Sequence, residues 1–138
     1  MSFLDDLTEQ KTAAPPTVDV DVTLNKNLHT LRFKQMDGLA WATAGDQHPP
    51  RADVAVDRRY GYNLRALVLA VVPATGVRVE DDAEHELSAA EWGELFAILP
   101  GAMVGRICDA VWGLNEYLPE QEVEAAKKAL RDSAATSR

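Results

Sequence analysis

Val18, Val20, Val22 and Leu24 alternate with Asp19, Asp21 and Thr23. A period of two admits a strand with one dry face and one wet face. Asn25-Lys26-Asn27 follows, which is turn chemistry because asparagine tolerates left-handed backbone. Leu28, Leu31 and Phe33 then stand among Thr30, Arg32 and Lys34, so the spacing predicts a β-hairpin over 17–34. A lone hairpin is marginal in water. Its dry face must therefore meet helices or gain a further strand.

The rest of the chain reads as helices. Asp37 is placed to cap a short helix over 38–45 carrying Leu39 and Trp41, stopped by His48-Pro49-Pro50. Residues 51–60 are charged and expected to be irregular. Asn63 caps a helix through Leu64, Leu67, Val68, Val71 and Val72 whose apolar residues nearly encircle it, the mark of a central, buried helix; Pro73 is expected to end it. Residues 75–82, with Val77 and Val79, suit a short strand or a loop. Ser88 and Glu91 have capping-box spacing, and Trp92, Leu95, Phe96 and Leu99 follow on one helical face. After Pro100-Gly101, a stripe of Met103, Val104, Ile107, Val111 and Leu114 runs to about Tyr117. Pro119 is expected to open a last helix at its first turn, where a missing N–H costs nothing. That helix has only Val123, Ala126 and Leu130 as its thin apolar face. The expected fold is mainly α with a small N-terminal β-hairpin, an α+β chain forming a compact bundle of four to five helices. One globular domain covers 17–131, hairpin first and helices over 36–131. Residues 1–16 are expected as a disordered arm with at most one turn of helix over Phe3–Leu7, and 132–138 as a flexible tail.

Composition narrows the function classes. A chain of 138 residues with a formal charge of −8 lacks the basic footprint that nucleic acid or an anionic membrane requires. Residues 1–11 lack the basic start and apolar centre of a signal peptide, so a cytoplasmic protein is expected. Cys108 is the only cysteine and sits beside apolar neighbours, which suits an inert buried thiol. His29, His48 and His85 are scattered without metal-binding spacing. The acidic run Asp81-Asp82-Ala83-Glu84-His85-Glu86 lacks the alternation and turn glycine of a calcium loop and reads as a solvated loop. No phosphate-binding glycine loop or nucleophile elbow occurs. The expectation is a protein without catalytic, cofactor or metal residues. Its candidate partner-binding residues are the aromatics Trp41, Trp112 and Tyr117, of which Trp112 falls off the Ile107–Val111–Leu114 stripe.

The order of these features carries a resemblance. A hairpin over 18–33 precedes a Trp-containing helix that ends in His48-Pro49-Pro50-Arg51. Tyr62-Asn63 then opens the apolar helix, Leu87-Ser88-Ala89-Ala90-Glu91-Trp92 starts the next, and a later helix closes in Val111-Trp112-Gly113-Leu114-Asn115. Over 18–118 this resembles the tail assembly chaperones of long-tailed bacteriophages, especially those of high-GC actinobacteria. It departs from them after Tyr62-Asn63, where Leu64-Arg65-Ala66 replaces an acidic-Thr-Phe-Pro-Pro segment. The resemblance implies a host-cytoplasmic protein, absent from the mature virion, that binds the tape-measure protein and helps recruit tail-tube (major tail) subunits. It also implies a second, longer product by frameshifting, for which Ala126-Lys127-Lys128 is the candidate stretch. A homo-oligomer is compatible with this role. The alternative is a structural virion component, a head–tail connector or minor tail protein.

Overall fold

The computed structural model describes residues 2–136. It is a mixed α and β chain. Strand β1 (Thr17–Leu24) pairs antiparallel with β2 (Asn27–Lys34) through the expected hairpin. The connection is a two-residue turn at Asn25 and Lys26, with φ of 50° and 67°, the left-handed geometry whose twist matches the flanking strands. The hairpin is only half of the sheet. Strand β3 (Gly76–Glu80) pairs with β2, and β4 (Ala83–His85) pairs with β3, giving the order β1-β2-β3-β4. The acidic run expected as a loop is thus a second tight hairpin. Asp81 and Asp82 take φ of 52° and 62°, a conformation that aspartate tolerates better than most side chains.

One sheet face is wet and tied by polar pairs. Arg32 Nε donates to Asp19 at 2.8 Å, its Nη1 reaches Glu84 at 3.4 Å, and the Thr30 hydroxyl donates to Asp21 at 2.7 Å. The other face, with Val20, Val22, Leu31 and Phe33 buried, receives the helices. Helix α2 (Gly38–Asp46) and the short α3 (Ala55–Tyr60) precede α4 (Leu64–Thr75), which packs on β2 and β3 and is crossed by α5 (Ala89–Ile98) and α6 (Gly101–Trp112). Leu67, Val68, Val72, Trp92 and Ile107 are essentially inaccessible. Each such burial is worth about 1.5–3 kcal/mol. Two of the expected caps are formed: Asn63 Oδ1 accepts from the Ala66 N–H, and Ser88 and Glu91 close a reciprocal box. Asp37 occupies the cap position of α2, but its side chain makes no cap bond.

Several expectations are corrected. The helices form a layer on a four-stranded sheet rather than a bundle beside a hairpin. Residues 55–60, expected as irregular, form α3, which Gly61 ends in left-handed backbone at φ 86°. Pro73 lies inside α4, which runs on to Thr75; a proline near a helix end removes only one ladder bond. The arm contains helix α1 (Phe3–Thr12), started by a Ser2–Asp5 capping box and with no buried residue. The last helix, α7 (Leu118–Thr136), is regular through much of the expected tail and also has no buried residue. Met1 of the expected arm and Ser137 and Arg138 of the expected tail lie outside the described residues.

Candidate functional site: an apolar groove and a π-turn hub

Strands β1 and β2 are eight residues each, about 26 Å long at 3.3 Å per residue. The helical layer does not cover that length. Past Val22 and Leu31 the dry face is only partly covered, Leu24 being half-buried, and α5 flanks it, leaving a groove of about 690 Å³. Leu24 comes from the hairpin end, and Leu87, Leu95 and Ile98 from α5 and the segment before it. Ile98 is 70% exposed, so a large aliphatic side chain stands in solvent on the α5 wall, while Leu24 and Leu87 are half-buried against the core. Leu28, opposite Thr23, faces the wet side of the sheet. The rim is acidic. Glu91 is held by the Ser88 N–H at 2.9 Å, a bond that pulls its carboxyl below the ordinary value. Glu94 has no ion-pair partner among the described residues, and Glu80 pairs with Arg78, the one basic side chain on the walls besides His29. The arrangement suits an extended or helical apolar segment flanked by positive charge.

A second feature gathers the aromatics. Between α6 and α7 the chain does not break; residues Gly113–Tyr117 form a π-turn, in which the Leu118 N–H bonds to the Gly113 carbonyl. Pro119 gives the physical reason. It has no N–H to offer the carbonyls one turn back, and its ring would press on them in a regular helix. The widened turn relieves the ring, and a remote side chain supplies the missing donor: Gln35 Nε2 donates to the Leu114 carbonyl at 2.8 Å. Asn115 bridges as well. Its Oδ1 accepts from the Met36 N–H at 2.9 Å, while its Nδ2 donates to the Val111 carbonyl at 2.9 Å. Pro119 thus lies in the first turn of the last helix, as the sequence suggested, but α7 has no free start, because the chain enters it from α6 through the π-turn.

Trp41 and Tyr62 both reach this turn. Trp41 Nε1 donates to Glu116 at 2.6 Å, and the Tyr62 hydroxyl lies 3.5 Å from the same oxygen. Burial and then the Glu116 charge push the Tyr62 phenol up to about 12. Tyr60 stacks on Tyr62, with ring centres 6.2 Å apart, and meets Trp112 edge-on at 5.6 Å. The three candidate partner residues thus have different surroundings. Trp41, at 6% exposure, offers a partner almost no surface; it fastens α2 to the π-turn. Trp112 is half-buried and packed in the aromatic cluster, and Tyr117 is 57% exposed. The groove was not anticipated, because no residue type announces where a helical layer stops short of a sheet edge.

Two of the segments that carried the resemblance are tied together beside this hub. The His48 carbonyl accepts from the Asn63 N–H at 2.8 Å, joining the His48-Pro49-Pro50-Arg51 turn to the Tyr62-Asn63 opening. Asp57 grips the end of that turn, accepting the Arg51 backbone N–H at 2.9 Å and, from one guanidinium edge, Nε at 2.8 Å and Nη2 at 3.1 Å. The guanidinium holds the Asp57 carboxyl below its ordinary value. Cys108 is buried, and burial pushes its thiol up, away from the reactive thiolate. Among the described residues, no three His, Cys, Asp or Glu side chains are grouped to hold a metal, and no helix is long and apolar enough to cross a membrane.

No protein-family model matches the chain, and neither the curated proteins nor the solved structures contain a match.

Proposed function

We propose that the protein is a non-enzymatic tail assembly chaperone. It holds apolar helical segments of a phage tape-measure protein in the groove beside α5 and keeps them soluble while tail-tube subunits are recruited in the host cytoplasm. The observation that carries this reading is the groove itself: an aliphatic lining of Leu24, Leu87 and Ile98, the last standing in solvent, with an acidic rim. An exposed apolar patch with a polar rim marks an interaction surface, and an amphipathic helix laid into such a groove is a recurrent recognition mode. The choice of partner rests on the resemblance described above.

Co-expression tests it. Segments of the tape-measure protein are expected to stay soluble with the parent chain and to precipitate with Ile98→Asp. Ile98 is mostly solvent-exposed, so the variant keeps its fold, which circular dichroism checks. Equal solubilisation by the variant contradicts the reading. Mass spectrometry of purified particles separates it from a structural virion component, which would be found there.

A further inference from the structure

We infer that α7 is a self-association element that pairs antiparallel with α7 of a second copy of this chain. The helix is 19 residues, about 28 Å at 1.5 Å per residue, and none of those residues is buried. Val123 and Leu130, 54% and 73% exposed, lie on one stripe with Ala126 between them, at the three- and four-residue spacing of a two-helix seam.

The charge order selects the occupant. The first half carries Glu120, Glu122 and Glu124, and the second carries Lys127, Lys128 and Arg131 with one acid, Asp132, so it is net basic. Within one helix this order is costly in part, since Glu120 and Glu124, and Lys127 and Arg131, are like charges four residues apart. Among the described residues the segment makes a single ion pair, Lys127 to Glu124 at 3.4 Å. Nor does the helix dipole account for it. The helix has no free start, because α6 leads into it through the π-turn, and its last turn has no basic residue. An antiparallel copy resolves the pattern, laying each acidic half against a basic half. The register that stacks Val123 on Ala126 of the second copy sets Leu130 on its Pro119 and brings Glu120 beside its Lys127. Two-fold symmetry makes that charge contact twice.

The contact is independent of the groove beside α5, so its failure would leave the chaperone reading standing. Sedimentation equilibrium of the full chain at increasing concentration tests it. A monomer–dimer equilibrium that weakens with added salt is expected. Leu130→Asp should abolish it without changing the circular dichroism of the folded domain. Glu120→Lys and Lys127→Glu should each weaken it by about 3–10-fold, because two exposed pairs change sign. The double variant should recover the parent's affinity. A chain that stays monomeric into the hundreds-of-micromolar range overturns the proposal. So does a dimer indifferent to Leu130→Asp, or a double variant no tighter than the singles, which would exclude this antiparallel register.

Discussion

Gly76→Ala is expected to destabilise the fold more than its single methyl suggests. Gly76 joins α4 to β3 and stands opposite Phe33 in the sheet. A β-carbon there would lie 2.8 Å from Trp92 Cζ2, 2.9 Å from Phe33 Cε1 and 3.0 Å from its Cδ1. Carbon atoms pack comfortably at about 3.5–4.0 Å, so the overlap is more than half an ångström against two rings at once. Neither ring can swing clear: Phe33 is 0% and Trp92 1% exposed, and Trp92 is stacked on Phe96 with centres 6.0 Å apart. The backbone must move instead, and the Gly76 N–H is bonded to the Val72 carbonyl. Overpacking of this kind costs about 2–3 kcal/mol, which lowers the Tm of a domain this size by about 6–12 °C. Gly93→Ala is the control. It lies in the exposed interior of α5 with no atom within 4 Å of the new methyl, and is expected to stabilise by about 0.5–1 kcal/mol. Thermal melts of the two variants should move in opposite directions. A Gly76→Ala protein melting within a degree or two of the parent would refute the packing argument.

Three further outcomes follow from the π-turn, the Asp57 clasp and the exposed last helix. Asn115→Ala removes the acceptor of the Met36 N–H and the donor to the Val111 carbonyl, and should cost about 1–3 kcal/mol in urea unfolding; an unchanged midpoint would show the turn is held without it. Asp57 has its carboxyl depressed below the ordinary 3.8 by Arg51. Its contribution to stability is therefore present above that pH and lost as pH falls through the lower folded value. Asp57→Asn should accordingly lose stability at neutral pH and show a flatter acid limb than the parent; a parallel pair of pH–stability curves would contradict this. Deletion after Leu130 should leave the melting temperature of the domain within a degree or two, since α7 buries nothing; a loss of cooperative unfolding would show that the end of α7 supports the core.

Where local rules dominate, the sequence was readable. The strand alternation placed Val20, Val22, Leu31 and Phe33 inside, and the Ser88–Glu91 and Asn63 caps set the starts of α5 and α4. Trp92 proved fully buried, while its neighbour Phe96 on the same stripe is only partly so. What escaped depends on distant partners. Strand β3 is one of the two readings that 75–82 admits, but its pairing with β2 brings Gly76 against Phe33 and Trp92, a close approach that no periodicity records. Pro119 obeys the rule for a helix start, yet Gln35 and Met36, each 79 positions from its bonding partner in the π-turn, satisfy that turn and let the helix continue. Trp112, off the helical stripe, lies against Tyr60 because α3 and α6 meet there. The groove exists only because β1 and β2 outrun the helices, a matter of relative length rather than of any motif.

The most direct test of the central claim is a methyl NMR titration of the chain with a soluble basic, amphipathic segment of the tape-measure protein. The largest shifts are expected at the methyls of Leu24, Leu87 and Ile98, which stand in the groove, with Val123 and Leu130 of α7 little changed. Saturable shifts confined to α7, with the three groove methyls unmoved, would contradict it.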